Sequence, residues 1–158
     1  MLTVGLSSGK LTAQVVGTGS TQLNAFGNLQ FSSEQDLNGV LGGSLTRFLT
    51  DQFEVGVTSL LLFTNGDIGG SLGGLFQFNV TNQSLWLPYI GVSSGVLWIG
   101  GETLGGVSGD FRIGIRRFVS ENVSFNVEVS QRYQYEDEFQ WDEFDVIPVS
   151  FGLSVFFN

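Results

Sequence analysis

The feature that most restricts this chain is alternation. From about Leu23 onward, stretches of ten to thirteen residues place an apolar side chain at every second position and a small or polar one between, and each stretch ends in a break rich in Gly, Asn, Asp or Ser. Successive side chains of a β-strand point to opposite faces, so this pattern builds strands with one oily face, and no segment shows the 3.6-residue period of a helix. The clearest strand sets Val123, Phe125, Val127, Val129, Tyr133 and Tyr135 against Ser124, Asn126, Glu128, Ser130, Arg132 and Gln134. The last sets Ile147, Val149, Phe151, Leu153, Val155 and Phe157 against Pro148, Ser150, Gly152 and Ser154. The spacing predicts eight strands, near residues 22–33, 38–48, 53–63, 70–80, 85–99, 107–118, 123–136 and 145–157.

The connections alternate in length. Short breaks at 49–52, 81–84 and 119–122 suit tight hairpin turns, whereas those at 64–69, 100–106 and 137–144 are longer. An even number of antiparallel strands with tight turns at one end and longer loops at the other is an up-and-down meander, and closing it removes the edges that would otherwise pair with other chains. The fold class expected is therefore all-β, a closed up-and-down antiparallel barrel over residues 22–158. Residues 1–21 are an N-terminal tail or, if Leu2 to Leu6 and Leu11 to Val16 pair, an extra hairpin that raises the count to ten strands.

Alternation does not say whether the oily face points into a core or outward into lipid, because soluble and membrane barrels share it. The other face decides. In a soluble barrel it meets water and should be dense in Lys and Glu, yet here it is mostly Gly, Ser, Thr, Asn and Gln, and only 13% of the chain is charged at a mean hydropathy of +0.21. Small polar side chains with a few ions fit the cramped interior of an eight-stranded barrel. Aromatic residues at Phe48, Phe53, Phe63, Trp86, Trp98, Phe118, Tyr133, Tyr135 and Phe157 fall near strand ends, where a membrane boundary favours them. Every long apolar run is interrupted by Gly, Ser, Asn or Thr before the 18 to 20 residues of a spanning helix. The barrel is thus expected to be transmembrane.

Composition also excludes chemistry. With no His and no Cys, the chain lacks the commonest general base, the commonest metal ligand and any disulfide, so no enzyme and no cofactor is implied. Six Lys and Arg against fifteen Asp and Glu, net charge -9, leave almost nothing to neutralise phosphates, so nucleic acid is not an expected partner.

Two stretches carry a family resemblance. GGSLTRFLTDQFEVGV, Gly42 to Val57, and the terminal SFGLSVFFN, in which Ser150, Gly152, Val155 and Phe157 match a terminal insertion-signal strand, resemble the small outer-membrane β-barrels of Gram-negative bacteria, of the OmpA-like and OmpX-like kind. The resemblance covers about Leu23 to Phe157; the family ends on the aromatic residue, whereas this chain adds Asn158. It implies a bacterial outer-membrane location, with outer-membrane lipid and the insertion machinery as partners. The function expected is structural or a cell-surface interaction, by a monomer whose lumen is plugged. A narrow channel for ions or small hydrophobic molecules is the alternative, and a soluble lipocalin-like carrier the third reading.

Two groups of residues stand out on these strands. Glu54, Asp110, Arg112, Arg116, Glu128 and Arg132 all fall on the polar face, and unpaired ions in a confined interior are costly, so an ion-pair network is expected. A turn near Ser120 brings either Arg112 opposite Glu128 or, two residues shifted, Asp110 opposite Arg132. The second group is the acidic loop of Glu136, Asp137, Glu138, Trp141, Asp142, Glu143 and Asp145, with Phe139 and Phe144 between. It reads as a solvated loop, with a divalent cation held by carboxylate oxygens or an unidentified surface partner as the sharper options; its spacing matches no EF-hand.

Overall fold

The computed structural model describes residues 16–31, 37–64, 67–81, 84–99, 106–135, 141–143 and 149–157. Its strands are β1 (Thr21–Phe31), β2 (Leu37–Phe48), β3 (Phe53–Thr64), β4 (Asp67–Asn79), β5 (Trp86–Ile99), β6 (Gly106–Ser120), β7 (Val123–Tyr135), β8 (Trp141–Glu143) and β9 (Val149–Phe157). Each of β1 to β7 pairs antiparallel with its successor, and β9 joins β7 on one side and β1 on the other. The wall is therefore a closed, eight-stranded, up-and-down barrel. The three-residue β8 pairs with Tyr133 to Tyr135 of β7, on the same edge that β9 takes at Val123 to Val129, so it shares the place of β9 in the ring and adds no ninth strand to the wall.

The predicted strands agree with these within a few residues, except the last, whose described part begins at Val149. The ten-strand option rests on residues before Val16, which lie outside those described; the eight strands close without them. The glycine pairs at 42–43, 69–70 and 73–74 sit inside β2 and β4.

The wall follows the alternation. Leu23, Leu45, Val57, Leu72, Phe76, Val92, Phe111, Val127, Phe151 and Leu153 are all exposed, and Phe151 most of all at 65%. The intervening Asn24, Thr46, Thr58, Gln77, Ser93, Arg112, Asn126 and Ser154 are buried. The barrel is inside-out relative to a water-soluble domain, in which the apolar set would fill the core. Two of the aromatics expected at the outer boundary turn inward instead: Phe48 is buried at 1%, and Phe118 packs against the same cluster. The physical reason is parity, because Phe48 shares the face of Ser44 and Thr46 while its neighbour Arg47 takes the outer one.

At the tight-turn end, residues 16–20 fold back across the lumen. Gly19, at φ +95°, lets the chain turn so that its amide reaches the Phe48 carbonyl at 2.8 Å, and the Phe48 amide returns a bond to the Ser20 carbonyl. Asp51 Oδ1 accepts from the Thr18 amide and hydroxyl at 3.0 and 3.1 Å. Val16 is thereby set against Phe48 and Phe156, with Phe118 beside them, an apolar cluster at that end of an interior that elsewhere mixes polar side chains with the buried Leu60, Leu75, Leu87 and Leu97.

Candidate functional site

The lumen holds all six ionisable residues that the alternation assigned to it. Glu54, Asp110 and Glu128 face Arg112, Arg116 and Arg132, so the described interior is charge-balanced, and three ion pairs join them. Both registers open at the sequence level leave a mark. Asp110 lies directly opposite Arg132, with Arg132 Nε 2.6 Å from Asp110 Oδ1. Arg112 lies opposite Ser130, yet it still approaches Glu128 diagonally, Nη1 to Oε1 at 3.8 Å. Diagonal neighbours two residues along the facing strand stay within reach of long side chains.

The six form a chain along the barrel axis rather than one knot. Nearest the long-loop end, Asp110 Oδ2 accepts from the Ser93 hydroxyl at 2.9 Å, and Ser93 Oγ accepts from Arg112 Nη2 at 3.1 Å. Arg112 leads to Glu128, whose Oε2 accepts from the Tyr89 hydroxyl at 3.0 Å. Arg116 stacks over the Tyr89 ring at 4.7 Å and places Nη2 2.7 Å from Glu54 Oε1. Gly114, opposite Tyr89, makes this possible, since a Cβ there would overlap the ring.

Glu54 is the most enclosed charge, with no exposure at all. Besides Arg116 it accepts from Gln77 Nε2 at 2.6 Å, Asn79 Nδ2 at 3.1 Å and the Thr46 hydroxyl at 2.5 Å. Four donors on one carboxylate replace much of the hydration it gave up, which is what a buried charge requires. The side chains come from four strands, β2, β3, β4 and β6, so the carboxylate ties opposite parts of the wall together.

A second polar cluster locks the closure between first and last strands. Asn126 Nδ2 donates to Asn24 Oδ1 at 2.9 Å and to Ser154 Oγ at 2.6 Å, Ser154 donates to Asn24, and Gln22 Nε2 donates to Ser154 Oγ at 2.8 Å. This cluster, Tyr89, and the Gln77 and Asn79 donors were not singled out from sequence. Their only signal was polarity on the inward parity of their strands, a position shared with many residues that do nothing more than fill space.

The remaining candidates separate. Ser150 and Gly152 of the terminal strand face inward, while Val155 and Phe157 belong to the outer face. In the acidic loop, Trp141, Asp142 and Glu143 form β8, and Glu136, Asp137, Glu138 and Asp145 lie outside the described residues. Among the described residues no group of three acidic side chains is placed to hold a metal ion.

No family model matches the chain, and no curated protein sequence matches it. Solved structures do. The N-terminal β-barrel domain of Pseudomonas aeruginosa OprF superposes with a TM-score of 0.62 at 18% identity, covering 89% of this chain and 99% of that one. Neisserial surface protein A gives 0.61 at 16% identity over 86% and 95%, and the Pseudomonas aeruginosa outer membrane protein OprG gives 0.59 at 14% over 90% and 97%. Identity this low speaks for architecture. With its closed ring of eight antiparallel strands, apolar outer wall and polar, ion-paired interior, this chain has the fold of the small outer-membrane β-barrels.

Proposed function

We propose that this chain is an outer-membrane protein of a Gram-negative bacterium, a monomer whose role is structural or a surface interaction rather than catalysis, and whose lumen is plugged by its own side chains. The observation that carries the membrane reading is the inverted wall, with leucine, valine and phenylalanine outside and Glu54 and Ser154 at zero exposure inside. Its height fits. Trp86 and Trp98, near the two ends of β5, lie twelve residues apart, which is about 40 Å along a strand and about 30 Å along the axis at a tilt near 40°, against a hydrocarbon core of about 30 Å. The likeness to a protein described as an outer membrane protein supports the same location. Tight turns in such barrels face the periplasm and longer loops the exterior, so the acidic loop is offered to the cell surface. Outer-membrane lipid and the insertion machinery are the partners this reading requires, with Ser150, Gly152, Val155 and Phe157 as the strand the latter would engage.

Plugging is supported by the ion-pair chain and by the apolar cluster of Val16, Phe48 and Phe156 beneath it. A second reading, a narrow ion channel, is favoured by one observation: Gln22 Oε1, Arg112 Nε and Arg116 Nε are buried polar atoms with no partner among the described residues. The membrane reading is tested by folding the protein in detergent and comparing migration of unheated and boiled samples on a gel. A faster-running unheated band is expected, and a protein that stays soluble and folded without detergent refutes it. Single-channel recording in planar bilayers then separates the two lumen readings, negligible conductance supporting the plug and discrete ion conductance the channel.

A further inference from the structure

Among the described residues the middle of the outer wall carries no charge, its polar side chains there being small ones such as Ser59 and Ser94, but two arginines stand nearer its end. Arg47 on β2 and Arg117 on β6 are exposed, and both lie at the tight-turn end. Neither makes an ion pair among the described residues, whereas every described arginine of the lumen does. Arg117 lies directly opposite Trp86 and Phe125 in the ladder, and its guanidinium sits 5.2 Å from the Trp86 ring centroid. Trp86 and Phe125 are themselves 45% and 58% exposed, so ring and cation share one outward patch. Arg47 lies opposite Thr21, whose partner on the other side is the exposed Phe157.

A guanidinium has five N–H donors in a planar fork suited to phosphate, and an aromatic beside it holds the level at which an apolar wall meets headgroups. Stacked over an indole and left without a carboxylate, Arg117 has donors to spare at that level. The opposite end differs in kind: the four segments 32–36, 64–67, 100–105 and 136–148 contain ten Asp and Glu and no Lys or Arg. The tight turns carry Asp51 and Glu121 beside Arg47 and Arg117, so that end is balanced in charge and anionic headgroups, repelled at the acidic end, are not repelled there.

We infer that Arg117 with Trp86, and separately Arg47 on the outer face across Thr21 from Phe157, are headgroup sites for anionic glycerophospholipid in the leaflet at the tight-turn end. This rests on the membrane reading proposed above. In the closed ring β2 and β6 are diametrically opposite, so the sites are independent and each takes its own lipid. The test uses the full chain and three variants, Arg47→Gln, Arg117→Gln and the double, folded into vesicles of phosphatidylcholine mixed with phosphatidylglycerol, extracted in mild detergent and weighed by native mass spectrometry. The wild type is expected to retain one phosphatidylglycerol per site, each single variant to lose one, the double variant to lose both, and Arg117→Lys to keep more than Arg117→Gln. A double variant that carries as much phosphatidylglycerol as the wild type, or a wild type that retains phosphatidylcholine equally well, overturns the inference. Heat-modifiable migration confirms that each variant is folded, since neither arginine contributes to the lumen network. Failure of the wild type to enter vesicles of phosphatidylcholine alone is a different result: it removes the membrane reading, and this inference with it.

Discussion

Replacing Arg116 by Met tests whether the lumen is a sealed, low-dielectric interior. Arg116 is 2% exposed and Glu54 is fully enclosed, 2.7 Å apart. Met keeps most of the volume and removes the charge, so Glu54 loses its cation but retains Gln77, Asn79 and Thr46 as donors. Removing one partner of a buried ion pair costs about 3–5 kcal/mol, and the three remaining donors place this case near the lower value, about 3 kcal/mol. With a urea dependence of about 2 kcal/mol per molar, the unfolding midpoint followed by tryptophan fluorescence should fall by about 1.5 M. Glu54→Gln should cost a similar amount, because it removes the buried guanidinium's counter-charge and leaves it only neutral acceptors, Asn79 Oδ1 and the new amide oxygen. The double variant Glu54→Gln, Arg116→Met removes both charges, and it should recover at least about 2 kcal/mol of the sum of the single losses. A single variant within about 0.5 kcal/mol of the wild type, or single effects that simply add, would show that water already screens this pair and would refute the sealed lumen.

Two further outcomes follow from the wall. Neighbouring glycines on β4 should behave oppositely on replacement by Ala: a Cβ at Gly73 would collide with the Ser94 carbonyl and the Gly95 Cα, while one at Gly74 would meet nothing within 4 Å. Gly73→Ala should therefore reduce the folded, heat-modifiable fraction sharply and Gly74→Ala should leave it unchanged; equal behaviour would contradict the close approach of β4 and β5. Val57→Arg puts a charge at 54% exposure near the middle of β3, which on a lipid-facing wall should cost about 2–4 kcal/mol in the same unfolding assay. An effect near zero would mean that this face meets water.

Much of this was legible from the residue order. A period of two reports which side chains share a face whatever the partners are, so the strand count, the up-and-down order and the inward set Glu54, Asp110, Arg112, Arg116, Glu128 and Arg132 could be read from one chain. The direction of the oily face followed from the poverty of charge opposite it. Pairing partners were less accessible. The β6–β7 turn allowed two registers, and the bulge between Phe118 and Ser120 that selects one leaves no local signature.

What the linear pattern contains is a property of each strand alone: its two faces and their polarity. What it omits is anything that depends on where strands far apart in sequence come to lie once the ring closes. Asn24, Asn126 and Ser154 meet because β1, β7 and β9 become neighbours, although 102 to 130 residues separate Asn24 from its two partners. Glu54 finds Arg116 across 62 residues, and Phe48 and Phe118, which alternation marks merely as aromatic strand ends, pack with Phe156 because all three converge at the same end of one narrow cylinder. Polarity is carried by each residue, whereas partnership is a distance in space, and in a barrel those distances are set by closure and stagger.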